Sequence, residues 1–306
     1  MTVSICCITY NHAAYIKQAV ESFVMQQCRF DYEIIISDDC SKDGTRKILA
    51  ELKEQYSEKI KLLLNEKNIG MMPNFIQALK ACRGKYIALC EGDDYWTDSN
   101  KLQKQVDFLE AHASYSLCFH NCTVRNERVH PATESLLIKD LNKTTFETED
   151  LLKQWFIPTA SIVFRNNGFA FPDWFYYVES GDIALLLLLS LQGAFKYLDE
   201  VMSVYCMHPL GVSTQHVRYK KAIGMTYLYQ SFNIYTNYKY NDKISNAIKY
   251  EWYMHVINKL VQENEAALLQ SFTKQSIPRQ VFFFVERKIK NLKHKLTQNL
   301  PAFSHK

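Results

Sequence analysis

Two adjacent carboxylates, Asp93 and Asp94, follow an apolar run at residues 85–90 and are the residues best suited to chemistry. The apolar run predicts a buried strand, so the acidic pair is expected on an exposed turn at its end. Magnesium and manganese prefer oxygen ligands, and they usually take one or two carboxylates together with water and substrate phosphate oxygens. An acidic turn without a function looks the same, but this placement favours a site for a divalent cation and a diphosphate.

Composition limits the class of protein. The chain has 306 residues, of which 47% are hydrophobic, and this predicts a globular protein of one large domain or two smaller ones. A net charge of +4, with no basic segment of a known nucleic-acid module, argues against nucleic acid as a partner. The cysteine count is odd and the first residues are typical of a strand, not a cleavable leader, which favours the cytoplasm.

The first hundred residues alternate predicted strands with predicted helices. The strands are expected at residues 3–8, 32–37, 60–64 and 85–90, and the helices between them at 13–24, 44–56 and 74–82. Such βαβ alternation predicts an α/β fold with a mostly parallel central sheet and helices on both faces.

Polar residues follow each of these four strands. The clusters are Thr9-Tyr10-Asn11, Asp38-Asp39-Cys40-Ser41, residues 65–70 and residues 91–94. Parallel strands present ligand-binding groups in the crevice beyond their carboxyl ends, so four clusters are expected on one edge of the sheet.

The rest of the chain continues the pattern less regularly. We expect a helix at 99–112, strands at 115–121, 158–165 and 195–198, a further segment at 201–206, and a polar insertion up to about residue 148. The leucine-rich stretch at 183–192 is about half the length of a membrane span and predicts a buried helix. Residues 218–306 contain few glycines or prolines and favour helices.

The motifs, taken in order, resemble those of family 2 glycosyltransferases with the GT-A fold. They are the Thr9-Tyr-Asn11-His turn, the segment from Ser37 to Thr45, Asn65-Glu-Lys-Asn68-Ile-Gly70, the segment from Gly84 to Trp96, and Ser180-Gly-Asp182. The resemblance covers roughly residues 1–215. It implies a Rossmann-like GT-A catalytic domain at 1–215 and a helical C-terminal extension at 216–306.

The resemblance implies transfer of a sugar, with inversion, from a nucleotide diphosphate sugar to a hydroxyl acceptor. Uridine is the expected base, Mn²⁺ or Mg²⁺ the expected cofactor, and a saccharide or lipid-linked saccharide the expected acceptor. The product would be a surface polysaccharide or glycolipid.

The family's residue roles carry over onto matching positions. Thr9, Tyr10, Asn11 and Asp39 would hold the base and ribose, with Asn68 and Gly70 completing the nucleotide site. Asp94 would bind the cation, and Asp93 would contact the ribose or support the metal. The acidic triplet begins with Glu91 where the family more often has Asp, so that first role is open.

Four residues receive further roles. Asp182 is expected to be the general base that removes the acceptor hydroxyl proton, although an Asp at this position also suits a helix start. His208, in a loop with Gly and Ser, is expected to reach the diphosphate or metal when that loop closes. Trp96 and Glu91, next to the aspartates, are expected to contact the acceptor.

Two alternatives remain. Nucleotidyl transfer also uses an α/β sheet and a metal on paired carboxylates, but it favours a glycine-rich, basic phosphate loop that Thr9-Tyr-Asn-His12 does not supply. A catalytically silent binding protein would keep the same fold, and intact Asp39, Asp94 and Asp182 argue against it.

Residues 281–296 interleave apolar and basic side chains at approximately helical spacing. A basic amphipathic helix of this kind can lie on an anionic lipid surface, while packing on the catalytic domain is the alternative. A peripheral contact at the inner face of the cell membrane is one of these two expectations for an otherwise cytoplasmic protein.

Overall fold

The computed structural model describes residues 1–168, 170–209, 211 and 218–257. The chain divides into two compact units. The first comprises Met1–Leu151 and Trp155–Gln215, and the second comprises Leu152–Gln154 and the chain from His216 onward.

One mixed sheet forms the centre of the first unit. Among the described residues it has ten strands, and the main path runs β3-β2-β1-β4-β9-β6-β10-β5. The strands are β1 Val3–Thr9, β2 Tyr32–Asp38, β3 Ile60–Leu64, β4 Tyr86–Leu89, β5 Tyr95–Trp96, β6 Tyr115–Asn126, β7 Thr133–Leu136, β8 Thr145–Phe146, β9 Val163–Arg165 and β10 Ala194–Met207. β7 pairs with β6, and β8 pairs with β10.

The first four strands run parallel, as the βαβ pattern predicts. β1 pairs with β2 from Val3 opposite Tyr32 to Thr9 opposite Asp38, and it pairs with β4 on its other side. β2 also pairs in parallel with β3. The carboxyl ends of these strands therefore meet at one edge, where the polar clusters lie.

Helices cover the sheet because their apolar faces must be buried. They are α1 Ile16–Val24, α2 Thr45–Gln55, α3 Met71–Ala81, α4 Lys101–Ala111, α5 Thr148–Leu151 and α6 Gly181–Ser190. Phe23 of α1 and Leu49 of α2 are fully buried in one core cluster with Ile5 and Ile34 of the strands. Removal of these apolar side chains from water is the main stabilising contribution.

The later strands differ from the expected pattern. Residues 194–207 form one long strand that continues past the predicted strand at 195–198, because irregular register around Val201 lets β10 continue alongside β6. The predicted strand at 158–165 is a 3₁₀ turn, Thr159–Ser161, followed by the short strand β9. β9 is antiparallel to both neighbours, β4 and β6. The polar insertion contributes the edge strands β7 and β8.

The described part of the second unit is helical. It contains the helices Arg218–Tyr235 and Asn241–Trp252, followed by a π-helical turn at Tyr253–Ile257. Phe232 and Ile244 are fully buried. Across the described residues of both units, no helix has the length and apolar character needed to span a bilayer. The predicted basic helix at 281–296 lies outside the described residues.

Candidate active site

A tight turn after β4 carries the acidic residues to the edge of the sheet. The Asp94 N–H donates to the Glu91 carbonyl at 3.2 Å, and the Gly92 N–H donates to the Ile8 carbonyl at the end of β1. A Cβ atom on Gly92 would lie 2.8 Å from Thr9 Oγ1. Glycine is therefore required for the turn to approach β1 this closely.

Asp93 lies between two imidazoles. Its Oδ2 atom is 3.0 Å from His208 Nε2 and 3.6 Å from His12 Nε2. The three ligand atoms all lie within 4.8 Å of one another, and these residues form the one group of this kind within the described residues. The three side chains come from the turns that follow β4, β10 and β1, so the fold converges three separate segments on one point.

His208 is fixed from several sides. It follows β10 directly, and only 2% of its surface is exposed. The ring of Tyr15 lies against it with a centroid distance of 4.6 Å, and the Tyr15 hydroxyl donates to Glu127 Oε2 at 2.9 Å. Burial and the Glu127 carboxylate raise the pKa of Tyr15 to about 12, so its hydroxyl remains a donor.

His12 is held through its backbone. Its N–H donates to Thr45 Oγ1 at 2.9 Å, and its carbonyl accepts from the N–H groups of Tyr15 and Ile16. These bonds form the turn that precedes α1, which is why that helix begins at Ile16 and not near residue 13.

The protonation states at this cluster suit a cation. Burial opposes ionisation of Asp93, but the hydrogen bond with His208 and the nearby charges of His12 and His208 together hold its pKa below the usual value. Burial lowers the pKa of His12 despite the opposing charge of Asp93. An ionised carboxylate beside a neutral imidazole is the form that binds metal.

The residues present fit a divalent cation. Ligand atoms that share one ion on bonds of about 2.1 Å lie about 3.0–3.4 Å apart when they are neighbours around it. The separation of 3.0 Å between Asp93 Oδ2 and His208 Nε2 lies in this range, and the separation of 3.6 Å between Asp93 Oδ2 and His12 Nε2 is slightly longer. Asp93, His208 and His12 would therefore hold the ion.

Asp94 occupies a different environment from the one expected. It is 2% exposed, and its Oδ1 atom accepts the Cys206 N–H at 2.8 Å. Burial, Asp93 and Glu91 raise its pKa well above the usual value. Asp94 is not part of the ligand group, and its contact with β10 ties the turn to the strand that leads to His208.

Glu91 and Asp182 lie within electrostatic range of each other. Burial and the charges of Asp93 and Asp182 raise the pKa of Glu91 to about 8. Asp182 is half-buried in the first turn of α6. The preceding Gly181 packs closely on α3, since a Cβ there would lie 2.6 Å from Met72 Sδ.

Asp39 organises the turn after β3. Its Oδ1 atom accepts the Ile69 N–H at 2.7 Å, and its Oδ2 atom accepts the Gly70 N–H at 2.9 Å. A carboxylate at this position stabilises the N-terminus of α3, which begins at Met71. Asn68 Oδ1 also accepts the Gly70 N–H, at 3.2 Å.

The turn after β1 is tied to the turn after β2. Asn11 has a φ of 56°, its N–H donates to Ser41 Oγ, and its Oδ1 atom accepts the Lys42 N–H. Tyr10 is 45% exposed, while Thr9 is buried. The expected nucleotide-site residues thus lie on three adjacent turns at one edge of the sheet.

Trp96 is not placed to contact an acceptor. The side chain is 1% exposed, its ring packs against Phe23, and its Nε1–H donates to the Ala160 carbonyl at 2.9 Å. The indole is part of the core because β5 turns inward to pair with β10. The acceptor contact expected at this residue is not supported.

Two features of the site were not assigned from the sequence. His12 follows the first predicted strand, so its place on the same edge of the sheet as Asp93 could have been predicted from the sequence. The contact of Tyr15 with Glu127 joins residues 112 positions apart, and no local pattern indicates it.

The sheet order and its edge site define an α/β protein of the GT-A type, and solved structures agree. Similar folds are S. aureus TarS in complex with UDP-GlcNAc (TM-score 0.61, 18% identity, 83% of this chain and 73% of that chain) and the mannosyltransferase PcManGT from Pyrobaculum calidifontis in complex with GDP-Man and Mn²⁺ (TM-score 0.62, 16% identity, 97% and 82%). The predicted fold is confirmed.

The chain belongs to glycosyl transferase family 2, whose model matches residues 4–168. It is 37% identical to an uncharacterized protein of Mycobacterium tuberculosis over 69% of this chain and 60% of that protein. It is 36% identical to the putative teichuronic acid biosynthesis glycosyltransferase TuaG of Bacillus subtilis over 47% of this chain and 58% of that protein. The match therefore spans about 60% of the length of these relatives.

Proposed function

We propose that this protein transfers a sugar from a nucleotide diphosphate sugar to a hydroxyl acceptor, with inversion and with a divalent cation. The observation that carries this proposal is the convergence of Asp93, His208 and His12 at the carboxyl edge of the parallel strands. Family membership supports glycosyl transfer over nucleotidyl transfer.

The donor would lie across the turns that follow β1, β2 and β3. Tyr10 and Asn11 would contact the nucleotide from one side, and the Asn68–Gly70 turn from the other. Asp39 would act chiefly by holding that second turn, because its carboxylate already accepts two of the turn's N–H groups. A bound cation would neutralise charge that develops on the leaving diphosphate. We assign its binding to Asp93, not Asp94.

Asp182 would act as the general base. Its carboxylate would take the proton of the acceptor hydroxyl as that oxygen attacks the anomeric carbon, opposite the leaving diphosphate. Glu91 suits a different role, because a pKa of about 8 leaves it largely protonated at neutral pH. A neutral carboxyl group can donate a hydrogen bond to the acceptor without competing for the proton.

The relatives support a class of donor and acceptor. TarS binds UDP-GlcNAc, and this supports a uridine nucleotide as the donor. Relatives named for teichuronic acid and for glucosyl transfer to a diphosphoundecaprenol-linked sugar support a role in assembling a cell-surface polysaccharide. A lipid-linked acceptor would place the protein at the inner face of the membrane, where the basic segment at 281–296 would make a peripheral contact.

The proposal is tested by donor binding and turnover on matched variants. Nucleoside diphosphates and nucleotide sugars are screened by thermal shift with and without Mn²⁺, and the hits are assayed for transfer. We expect cation-dependent stabilisation by a nucleoside diphosphate, because a ligand that binds the folded state raises the melting temperature by mass action.

Asp93→Asn should abolish the cation-dependent part of the shift. Asp182→Asn should keep the shift but lower the transfer rate at least about 100-fold, as expected for loss of a general base. Asp173→Asn, at an exposed aspartate in the 3₁₀ helix Asp173–Tyr177 that precedes α6, is the matched control and should change neither. If Asp182→Asn removed donor binding and transfer equally, its role as the base would be wrong.

A further inference from the structure

The segment that leads into α6 carries exposed aromatic side chains. Its 3₁₀ helix ends at Tyr177, which is 74% exposed, the largest exposed fraction of any large apolar side chain in the described part of the chain. Because three residues make one turn of a 3₁₀ helix, Trp174 lies on the same face as Tyr177, and Asp173 lies on another. One face of this helix therefore presents two aromatic rings, of which one is largely open to solvent.

The main chain around Tyr177 is anchored although its ring is exposed. Phe175 and Val178, on either side of it, are buried in the protein. The neighbouring Tyr176 hydroxyl accepts a hydrogen bond from Lys80 Nζ of α3 at 3.0 Å. The position of the Tyr177 ring is therefore set by the fold before a ligand arrives, which reduces the entropy lost on binding.

Tyr177 is close in the chain to the proposed general base. Asp182 follows it by five residues, in the first turn of α6. Since an extended chain spans at most about 3.6 Å per residue, the two Cα atoms lie within about 18 Å of each other. A short oligosaccharide covers this span. The exposed Glu179 lies between the two in the chain and offers a carboxylate to sugar hydroxyls.

We propose that Tyr177 binds the saccharide acceptor by stacking its ring on the C–H face of a sugar unit, with Trp174 extending the aromatic surface. The inference rests on the proposed function, which supplies the need for an acceptor. A sugar unit combines a face of C–H groups with hydroxyls at its edge, so an aromatic ring beside a carboxylate matches both. Tyr177 thereby takes the role that was expected of Trp96, whose indole lies in the core.

The neighbouring charges favour a saccharide over a membrane or a protein as the occupant. The exposed charged residues that flank the ring in the chain, Asp173 and Glu179, are both acidic and would be repelled by an anionic lipid surface. A stable protein interface usually buries about 800 Å² on each partner around an apolar centre. Here the exposed aromatic surface is confined to a short helix between two carboxylates, which suits a small polar ligand.

The test measures saccharide binding by the full-length protein in the presence of UDP and Mn²⁺. An array of bacterial cell-surface saccharides is probed with the labelled protein, and the Kd of each bound saccharide is measured by calorimetry. Tyr177→Ala should raise this Kd at least about tenfold, as expected for loss of a central aromatic contact. Tyr177→Phe keeps the ring and should bind like the wild type. Tyr227→Ala, at an exposed tyrosine of the helix Arg218–Tyr235, is the matched control and should also bind like the wild type.

Binding and turnover separate this inference from the proposed function. Because the Tyr177 side chain is exposed, Tyr177→Ala should fold, and near-ultraviolet circular dichroism checks this. For a bound saccharide that is also an acceptor, Tyr177→Ala should raise KM and leave kcat nearly unchanged. If the wild type binds no saccharide, or if folded Tyr177→Ala binds with the same Kd, the inference is wrong, and transfer assays judge the proposed function separately. Conversely, a saccharide bound through Tyr177 in a protein that transfers no sugar would contradict only the proposed function.

Discussion

At the scale of single residues, Asp93 and Asp94 show how adjacent carboxylates acquire different chemistry. The turn directs Asp93 towards two imidazoles, whereas Asp94 points into the protein and accepts a backbone N–H from Cys206. Burial and neighbouring negative charges disfavour ionisation of Asp94, while hydrogen bonding and positive charge favour ionisation of Asp93. The two residues should therefore respond differently to the same substitution.

We predict that Asp94→Asn is well tolerated. The asparagine Oδ1 atom can still accept the Cys206 N–H, and the substitution removes a charge that burial disfavours. The free energy of unfolding should change by no more than about 1 kcal/mol or should increase. Denaturant unfolding gives the stability, and thermal shift with a nucleoside diphosphate and Mn²⁺ gives donor binding. Loss of the cation-dependent shift as complete as in Asp93→Asn would restore Asp94 as a metal ligand.

The sequence predicted correctly which edge of the sheet carries the site, but it did not predict the orientation of every side chain. Asp93 and His208 were expected near the diphosphate or metal, and the structure brings them together. Trp96 and Asp94 lie close to Asp93 in the sequence. Trp96 is buried because β5 pairs with β10, and Asp94 is buried because β10 passes beside it. Such contacts join segments more than 100 residues apart, so no local pattern indicates them.

At the scale of secondary structure, the first four strands were predictable because each is a short apolar run between helices of clear period. β3 has the expected bounds, and β1 and β2 extend one residue beyond them. β9 and β10 were less predictable, since a short antiparallel strand and an irregular long strand depend on their partners. Lys101, at the start of α4, is buried for the same reason, since its surroundings come from other segments of the chain.

Lys101 in the first turn of α4 should give the protein a distinctive pH dependence. It is fully buried, its Nζ atom donates to Gln105 Oε1 at 2.8 Å, and it lies 4.1 Å from the centroid of the Trp96 ring. Burial lowers its pKa to about 7. Between about pH 7 and 10.4 the unfolded chain therefore carries a proton that the folded protein has released. The contribution of Lys101 to stability must therefore rise with pH across that interval.

Lys101→Met should remove this rise. Between about pH 7 and 8.5, the unfolding free energy of the wild type relative to the variant should increase by about 1–2 kcal/mol. Cysteine thiols of the unfolded chain begin to ionise in this range and act in the opposite direction, but they do so equally in both proteins and cancel in the comparison. Urea unfolding at several pH values measures the difference, and Lys47→Met at an exposed position of α2 should follow the wild type. Parallel curves for the wild type and Lys101→Met would mean that Lys101 stays charged when folded.

At the scale of the whole molecule, the family match covers the first part of the chain and not the helical remainder. The family model ends at residue 168, and the similar mycobacterial proteins align over 69% of the chain. The second compact unit begins near residue 216 and continues beyond the described helices. Its proposed contribution is to bring the catalytic unit to a membrane-linked acceptor, and this can be tested independently of transfer.

We predict that the full-length protein floats with anionic vesicles and not with neutral ones. Five basic side chains lie among apolar residues between 281 and 296, namely Arg287, Lys288, Lys290, Lys293 and Lys295. Each contributes about 1 kcal/mol near an anionic surface, so raised salt should release the protein. A chain that ends at residue 280 should stay in the soluble fraction, as should a full-length chain with the five residues replaced by glutamine. Thermal shift with a nucleoside diphosphate checks that both retain a folded donor site. Equal recovery of all three chains with anionic vesicles would exclude this segment as the membrane contact.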